Sequence, residues 1–267
     1  MRKLTATWVA AALAGLTAIA ASSLPAAAAD LDAIKAKGVI RIGIDPGLKP
    51  YTFPDGAGGY KGADITVAEM IAKDLGVKIE WVPLTSPNRV PFLQTDKADI
   101  VLATLANTPE RAEVIDFSKP YSGSFVVVSG IKSVNVSKLE DLSGKEVGLT
   151  RGTTFDKLIT EKAPADTKIV RFDAEDTTLT ALASGQVDIG VHNIAVLVNL
   201  QEKAPAREFE AKFVLQEVKF SVGVQKGAKA LVEYLDKFIA AHHADGSLNA
   251  AFKEYLGRDL PPSVTAP

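Results

Sequence analysis

ADIVLATLANTPERAEVIDFSKPY, residues 98–121, is the stretch whose reading decides the fold. Ile100 to Leu102 is a buried-strand signal that runs into small and hydroxyl residues. Thr108-Pro109-Glu110-Arg111 then opens a short helix, with Thr108 placed as N-cap and Pro109 suited to the first helical position. Arg111 falls in the first turn, beside free backbone N–H groups. A guanidinium fork grips a carboxylate through two parallel hydrogen bonds, and strand-end amides with a helix N-terminus add partial positive charge. The element reads as a carboxylate trap.

Working outward, strand-like and helix-like segments alternate along the chain, the pattern of α/β lobes. VIRIGI (39–44), VKIEWVP (77–83) and ADIVLA (98–103) are expected strands. A helix lies within GADITVAEMIAKDLG, closed by Gly76, and a short one within NRVPFLQTD. Beyond Tyr121 the alternation restarts, with strands at FVVV (125–128), KEVGLT (145–150), KIVRF (168–172) and VDIGV (187–191). Helical stretches near 154–162, 176–184 and 194–203 separate them. FVLQEVKFSVGVQKG (213–227) is a long strand-like run, followed by helices over about 228–244 and 247–256. DGAGG (55–59) reads as a hairpin turn.

The first 29 residues have the layout of a cleaved secretory signal peptide. Arg2 and Lys3 precede an apolar run over 8–21, and Ala27-Ala28-Ala29 supplies small residues for cleavage. The run is too short to span a bilayer comfortably. The whole chain has 30 Lys+Arg against 32 Asp+Glu, so removing residues 1–29 leaves 28 against 32, about −4. That balance argues against nucleic acid and against a polybasic membrane contact. There is no cysteine, so an exported chain of this length relies on its core, without disulfides or a lipidated terminus.

The order of strand, small and hydroxyl residues, PER and DFSxPY resembles the family 3 extracellular solute-binding proteins, soluble receptors that feed polar amino acids to ABC importers. The resemblance covers essentially the whole mature chain and implies two α/β lobes, each a mostly parallel sheet flanked by helices. It implies one lobe from residues 30–121 and 221–267 and a second from 124–217, with a two-segment hinge near 121–125 and 216–220. A freely soluble, monomeric periplasmic protein is expected, with a membrane permease as partner.

Four strand ends carry the site that the resemblance implies. After the first strand, Asp45, Pro50, Tyr51 and Phe53 fit the family pattern, and Leu48 stands where an aromatic often stacks on the ligand. Asn88-Arg89 begins an NRxPxLQ variant in which the arginine meets a side-chain carboxylate. At the third strand end Ala103, Thr104 and Ala106 line the pocket, with Arg111 as carboxylate anchor and Asn107 matching the acidic-amino-acid branch. In the second lobe, Thr153 and Thr154 after Gly152 close over the same carboxylate. His192 and Asn193 stand at the last strand end, Asn193 where most relatives have an aspartate for the ligand ammonium. Asp45 favours amide or cationic side chains, whereas Arg89 and Asn107 favour carboxylates. If Asp45 and Arg89 line one pocket they can pair and favour a neutral polar ligand. The ligand is expected to be a polar amino acid, neutral or acidic.

No enzyme, cofactor or metal is expected. The sequence holds no HExxH, GxSxG or GxxxxGK[ST] motif, and of its three histidines His242 and His243 are adjacent and diverge on a helix. The enzymatic rival is a cyclohexadienyl-dehydratase-like protein on the same fold, with Asp45 the candidate acid. A periplasmic sensor module is the third class, but such modules usually sit in longer chains.

Overall fold

The computed structural model describes residues 31–265; the expected signal peptide lies outside them. In chain order the elements are α1 (Leu31–Lys37), β1 (Val39–Ile44), β2 (Phe53–Pro54), β3 (Tyr60–Lys61), α2 (Ala63–Leu75), β4 (Lys78–Pro83), α3 (Arg89–Gln94), β5 (Ile100–Val101), α4 (Pro109–Val114) and β6 (Ile115–Ile131). They continue with β7 (Glu146–Thr150), α5 (Thr154–Lys162), β8 (Lys168–Phe172), α6 (Glu175–Ser184), β9 (Ile189–Asn193), α7 (Ile194–Lys203), β10 (Phe209–Gln225), α8 (Lys229–Ala244), α9 (Ser247–Leu256) and α10 (Pro262–Thr265).

Local chemistry accounts for many of the boundaries. Gly76 ends α2 in the left-handed conformation, at φ 71°, where a Cβ is costly. Thr108 caps α4 by accepting from the Arg111 N–H at 3.4 Å, with Pro109 next in the chain. Asp55 Oδ1 accepts from the N–H groups of Ala57 and Gly59, tying the turn between the paired β2 and β3.

Eight strands form one sheet in the order β4-β1-β5-β10-β6-β9-β7-β8. β4, β1 and β5 are mutually parallel, as are β9, β7 and β8. Between these trios lies an antiparallel ribbon of β6 and β10, each 17 residues long. The expected strands at 125–128 and 213–227 are portions of this ribbon; β6 extends back to Ile115 through Pro120. Proline donates no ladder hydrogen bond and belongs at irregularities. Pro120 meets Ser221 where the register shifts on both sides.

The result is two α/β lobes sharing a ribbon. α9 packs on α2 and α8, and α8 and α9 both pack on β6, so the C-terminal helices join the first trio's side. α6 covers β7, and α7 packs against β9, β6 and β10. Leu84, Leu93, Val101, Ala103, Leu105 and Ile115 form a small separate apolar cluster beneath the third strand end. Among the described residues no helix is long and apolar enough to cross a membrane.

Candidate functional site

Parallel α/β sheets present ligand sites at the carboxyl ends of their strands. Here the ends of β1 and β5 meet those of β7 and β9 around one cavity. Leu48, Arg89, Thr104, Ala106, Arg111, Thr153, Thr154 and Asn193 line it, all of them read from the sequence. About 20 Å³ is open to the centre of a water molecule, room for roughly one water. An amino acid therefore requires the walls to part.

Arg111 is the cation most available to a guest. Its Nη1 donates to the Ala106 carbonyl at 3.0 Å and its Nη2 to the Gly152 carbonyl at 3.1 Å. Both partners are neutral, and Gly152 belongs to the opposite side of the cavity. Burial above all, then the nearby Arg89 charge, lowers its pKa to about 10, with Glu110 opposing. Arg111 belongs to none of the ion pairs among the described residues and gains by meeting an anion. Gly152 has φ +74°, and a Cβ there would stand 3.3 Å from Pro87 Cα, so glycine permits both the turn and the close approach. Lys157 and Glu110 form a second link beside Arg111 and Gly152, and Lys49 with Glu202 (3.0 Å) ties the segment after β1 to α7 elsewhere on the surface.

Arg89 is in the opposite condition. Its Nη2 donates to Asp45 Oδ2 at 3.0 Å, with both residues 5% exposed or less. Asp45 also receives the Gly47 N–H at 3.3 Å and the Ser86 hydroxyl at 3.5 Å. Asp45 thus stands behind the cavity wall, paired with Arg89, and does not line the cavity.

Three other sequence-derived residues stand away from the cavity. Tyr51 is fully buried in the core, edge-on to Phe220 and against Phe252; its size suits packing between lobe layers. Ala103 belongs to the small apolar cluster. His192 lies behind Asn193, with Nδ1 3.1 Å from the Asn193 carbonyl and Nε2 2.8 Å from Ser129 Oγ. Burial pushes its pKa down to about 4. A neutral ring donating from Nδ1 and accepting at Nε2 satisfies both contacts.

Thr104 is held in the left-handed region, φ +47°, uncommon for a β-branched residue. Its N–H donates to Asp64 Oδ2 at 3.1 Å, while the Tyr121 hydroxyl donates to Asp64 Oδ1 at 3.0 Å. This fully buried carboxyl, raised to about 7 by burial against those two bonds, fixes the strand end. Across the cavity Thr153 caps α5: its Oγ1 accepts from the Asp156 N–H and donates to the Thr150 carbonyl.

Sequence reasoning missed Ser86, Val126, Phe155, Glu175, Val218 and Phe220 as lining residues. Val126, Val218 and Phe220 come from the ribbon, and β-branched or aromatic alternation gave no hint of which face meets the cavity. Glu175 lay just outside the helical stretch expected near 176–184 and opens α6. It is 3% exposed, with Oε2 2.6 Å from Thr150 Oγ1, and burial raises its pKa to about 7.

Residues 40–258 match the bacterial extracellular solute-binding proteins, family 3. This chain belongs to that family. It is 29% identical over 264 residues to an L-arginine-binding protein of Pseudomonas aeruginosa, covering 93% of this chain and 97% of the relative. It is also similar to the solved cysteine-binding protein from Campylobacter jejuni, at TM-score 0.79 and 34% identity, covering 85% of this chain and 92% of the other. A third similar structure is an ancestral amino-acid-binding protein described as a precursor of cyclohexadienyl dehydratase, at TM-score 0.78 and 30% identity, covering 85% of this chain and 99% of that one. This family member therefore has binding proteins as relatives, on a fold that can also host enzymes.

Proposed function

We propose that this chain is a periplasmic receptor that captures a polar amino acid by hinge closure and presents it to the permease of an ABC importer. Of the described residues, 31–121 and 221–265 form the larger lobe, 124–217 the smaller, and the ribbon segments 121–125 and 216–220 bend between them. The observation that carries this reading is Arg111: a partly buried guanidinium on the cavity wall whose hydrogen-bond partners are backbone carbonyls from both sides.

The ligand carboxylate lands on Arg111 and the strand end at Thr104 and Ala106. Thr153, Thr154 and Asn193 then close over it. Closure is favoured only by a ligand that touches both lobes, because a ligand shifts an equilibrium by its differential affinity. The Asp45–Arg89 pair supports a neutral polar side chain over an acidic one, since Arg89 already has its carboxylate. The arginine and cysteine named for the relatives belong in the first screen beside glutamine and glutamate.

The test is calorimetry on refolded, ligand-stripped protein. Arg111→Ala should weaken the best amino acid by about 2–5 kcal/mol, the cost of leaving a desolvated charge unpartnered, or on the order of 30- to 4,000-fold. Unchanged affinity would remove Arg111 from the site. One observation favours a dehydratase as the second reading: Glu175 is an acid of raised pKa on the cavity wall, a plausible proton donor. Turnover of prephenate by the wild-type protein would establish that reading in place of transport.

A further inference from the structure

Glu175 opens α6 and lines the cavity, yet it belongs to none of the ion pairs among the described residues. Its Oε2 lies 2.6 Å from Thr150 Oγ1, which lies 2.8 Å from Thr178 Oγ1, which in turn lies 3.0 Å from the Ala174 carbonyl. The Ala174 carbonyl already accepts from the Thr178 N–H at 3.1 Å and the Thr177 hydroxyl at 2.7 Å. The two threonine hydroxyls can therefore turn either way. With Glu175 as the acid, it donates to Thr150, Thr150 to Thr178 and Thr178 to the carbonyl; with Glu175 ionised, Thr178 donates to Thr150 and Thr150 to Glu175. The pair accommodates both states of a carboxyl that is 3% exposed, and burial without a counter-ion favours the uncharged one.

The charged groups around this carboxyl are Asp45, Arg89 and Asp176. Burial above all holds its pKa up, the two aspartates add to this, and the Thr150 hydrogen bond and Arg89 act the other way. Arg89 is committed to Asp45 at 3.0 Å, so Glu175 is left without a dedicated counter-ion. On the same wall Asn193 presents only a neutral amide, one not used to cap α7. A zwitterion anchored by its carboxylate on Arg111 brings a positive ammonium into this chamber. The wall offers one group able to become its counter-charge.

We propose that Glu175 is the ammonium receptor of the cavity, exchanging its proton for the charged amino group of the bound ligand. The proposal rests on the amino-acid reading above. In the step, the carboxyl O–H ionises and its proton leaves to solvent. The carboxylate then accepts hydrogen bonds from the ammonium, and Thr150 turns its hydroxyl to donate to Glu175. One proton is released for each amino acid bound, and no covalent bond within the ligand changes.

The experiment pairs each of L-cysteine, L-glutamine and L-arginine with its analogue lacking the amino group, titrated calorimetrically into wild type and Glu175→Gln. Buffers of different ionisation enthalpy report the proton. Wild type should bind an amino acid near pH 6 with release of a substantial fraction of a proton. Glu175→Gln should bind that amino acid at least tenfold more weakly, bind the deaminated analogue within about threefold of wild type, and release no proton. Glu175→Asp, with a shorter reach but the same charge, should recover part of the discrimination, and thermal unfolding of both variants shows whether the fold is kept. Equal amino-acid affinity in wild type and Glu175→Gln would overturn the proposal while leaving the receptor reading intact. Equal losses for amino acid and analogue would do the same, assigning Glu175 to packing. Failure of wild type to bind any of the amino acids would overturn the receptor reading, and this proposal with it.

Discussion

Replacing Asp45 by asparagine tests the internal neutralisation of the cavity. At 3.0 Å the Coulomb attraction between unit charges is about 5–6 kcal/mol at an effective dielectric of about 20, much of it offset by the desolvation of both groups. The informative change is removal of one partner, which leaves a buried charge and typically costs about 3–5 kcal/mol. Asparagine keeps the shape but has one acceptor oxygen, and it cannot accept from both the Gly47 N–H and Arg89 Nη2. A loss of about 3–5 kcal/mol is therefore expected in urea unfolding of Asp45→Asn. For a chain of this length that corresponds to about 6–20 °C in Tm. The double variant Asp45→Asn/Arg89→Gln should lose less than the sum of the two single losses, because neither charge is then stranded. Released Arg89 should also welcome a side-chain carboxylate, so glutamate should gain on glutamine relative to wild type. Strict additivity of the two substitutions, with the glutamate-to-glutamine ratio unchanged, would refute the pairing as the source of selectivity.

Two buried titrations should appear with opposite signs. His192 has a native pKa of about 4 against an ordinary 6.5. The unfolded chain therefore takes up the proton first, and stability falls as pH drops from 6.5 to 4, by on the order of 3 kcal/mol from this group. Denaturant unfolding of His192→Asn across that range should show a shallower acid loss than wild type; identical slopes would mean the ring is not buried neutral. Asp64 is the reverse case, its native pKa near 7 against 3.8. Its contribution is fully present below pH 3.8 and is lost as pH rises through 7. Asp64→Asn, which sacrifices one accepted hydrogen bond, should be less stable than wild type at pH 4 and close the gap by pH 8. A gap that widens with pH would contradict the assignment.

What could be read from the chain was what neighbours in sequence decide. Thr108, Pro109 and Arg111 interact within one turn, so the cap and the placement of the guanidinium follow from their spacing. Gly76 and the Asp55 turn are equally local. Asp45 and Arg89 were legible as a possible pair because both stand at strand ends, though not as a pair already made. Tyr51 and His192 illustrate the opposite limit. Each sits beside a residue near the site, yet which way its side chain turns depends on Phe220, Phe252 and Ser129, all distant in sequence. Glu175 was invisible because it stood just before the helix expected near 176–184; only the packing of α6 over β7 buries it against Thr150.

The position of β10 between β5 and β6 bears on how the protein comes into being. Ile100 and Val101 cannot complete their ladder until Gly223 and Val224 exist, and the apolar face of β6 awaits α8 and α9. The β4-β1-β5 trio and the β6-β9-β7-β8 set can each pair earlier, but they are joined into one sheet only when β10 has been synthesised. Such long-range closure folds late and slowly. A chain cut short before β10 would therefore hold two half-sheets with unpaired edges, the kind of surface that pairs with other chains.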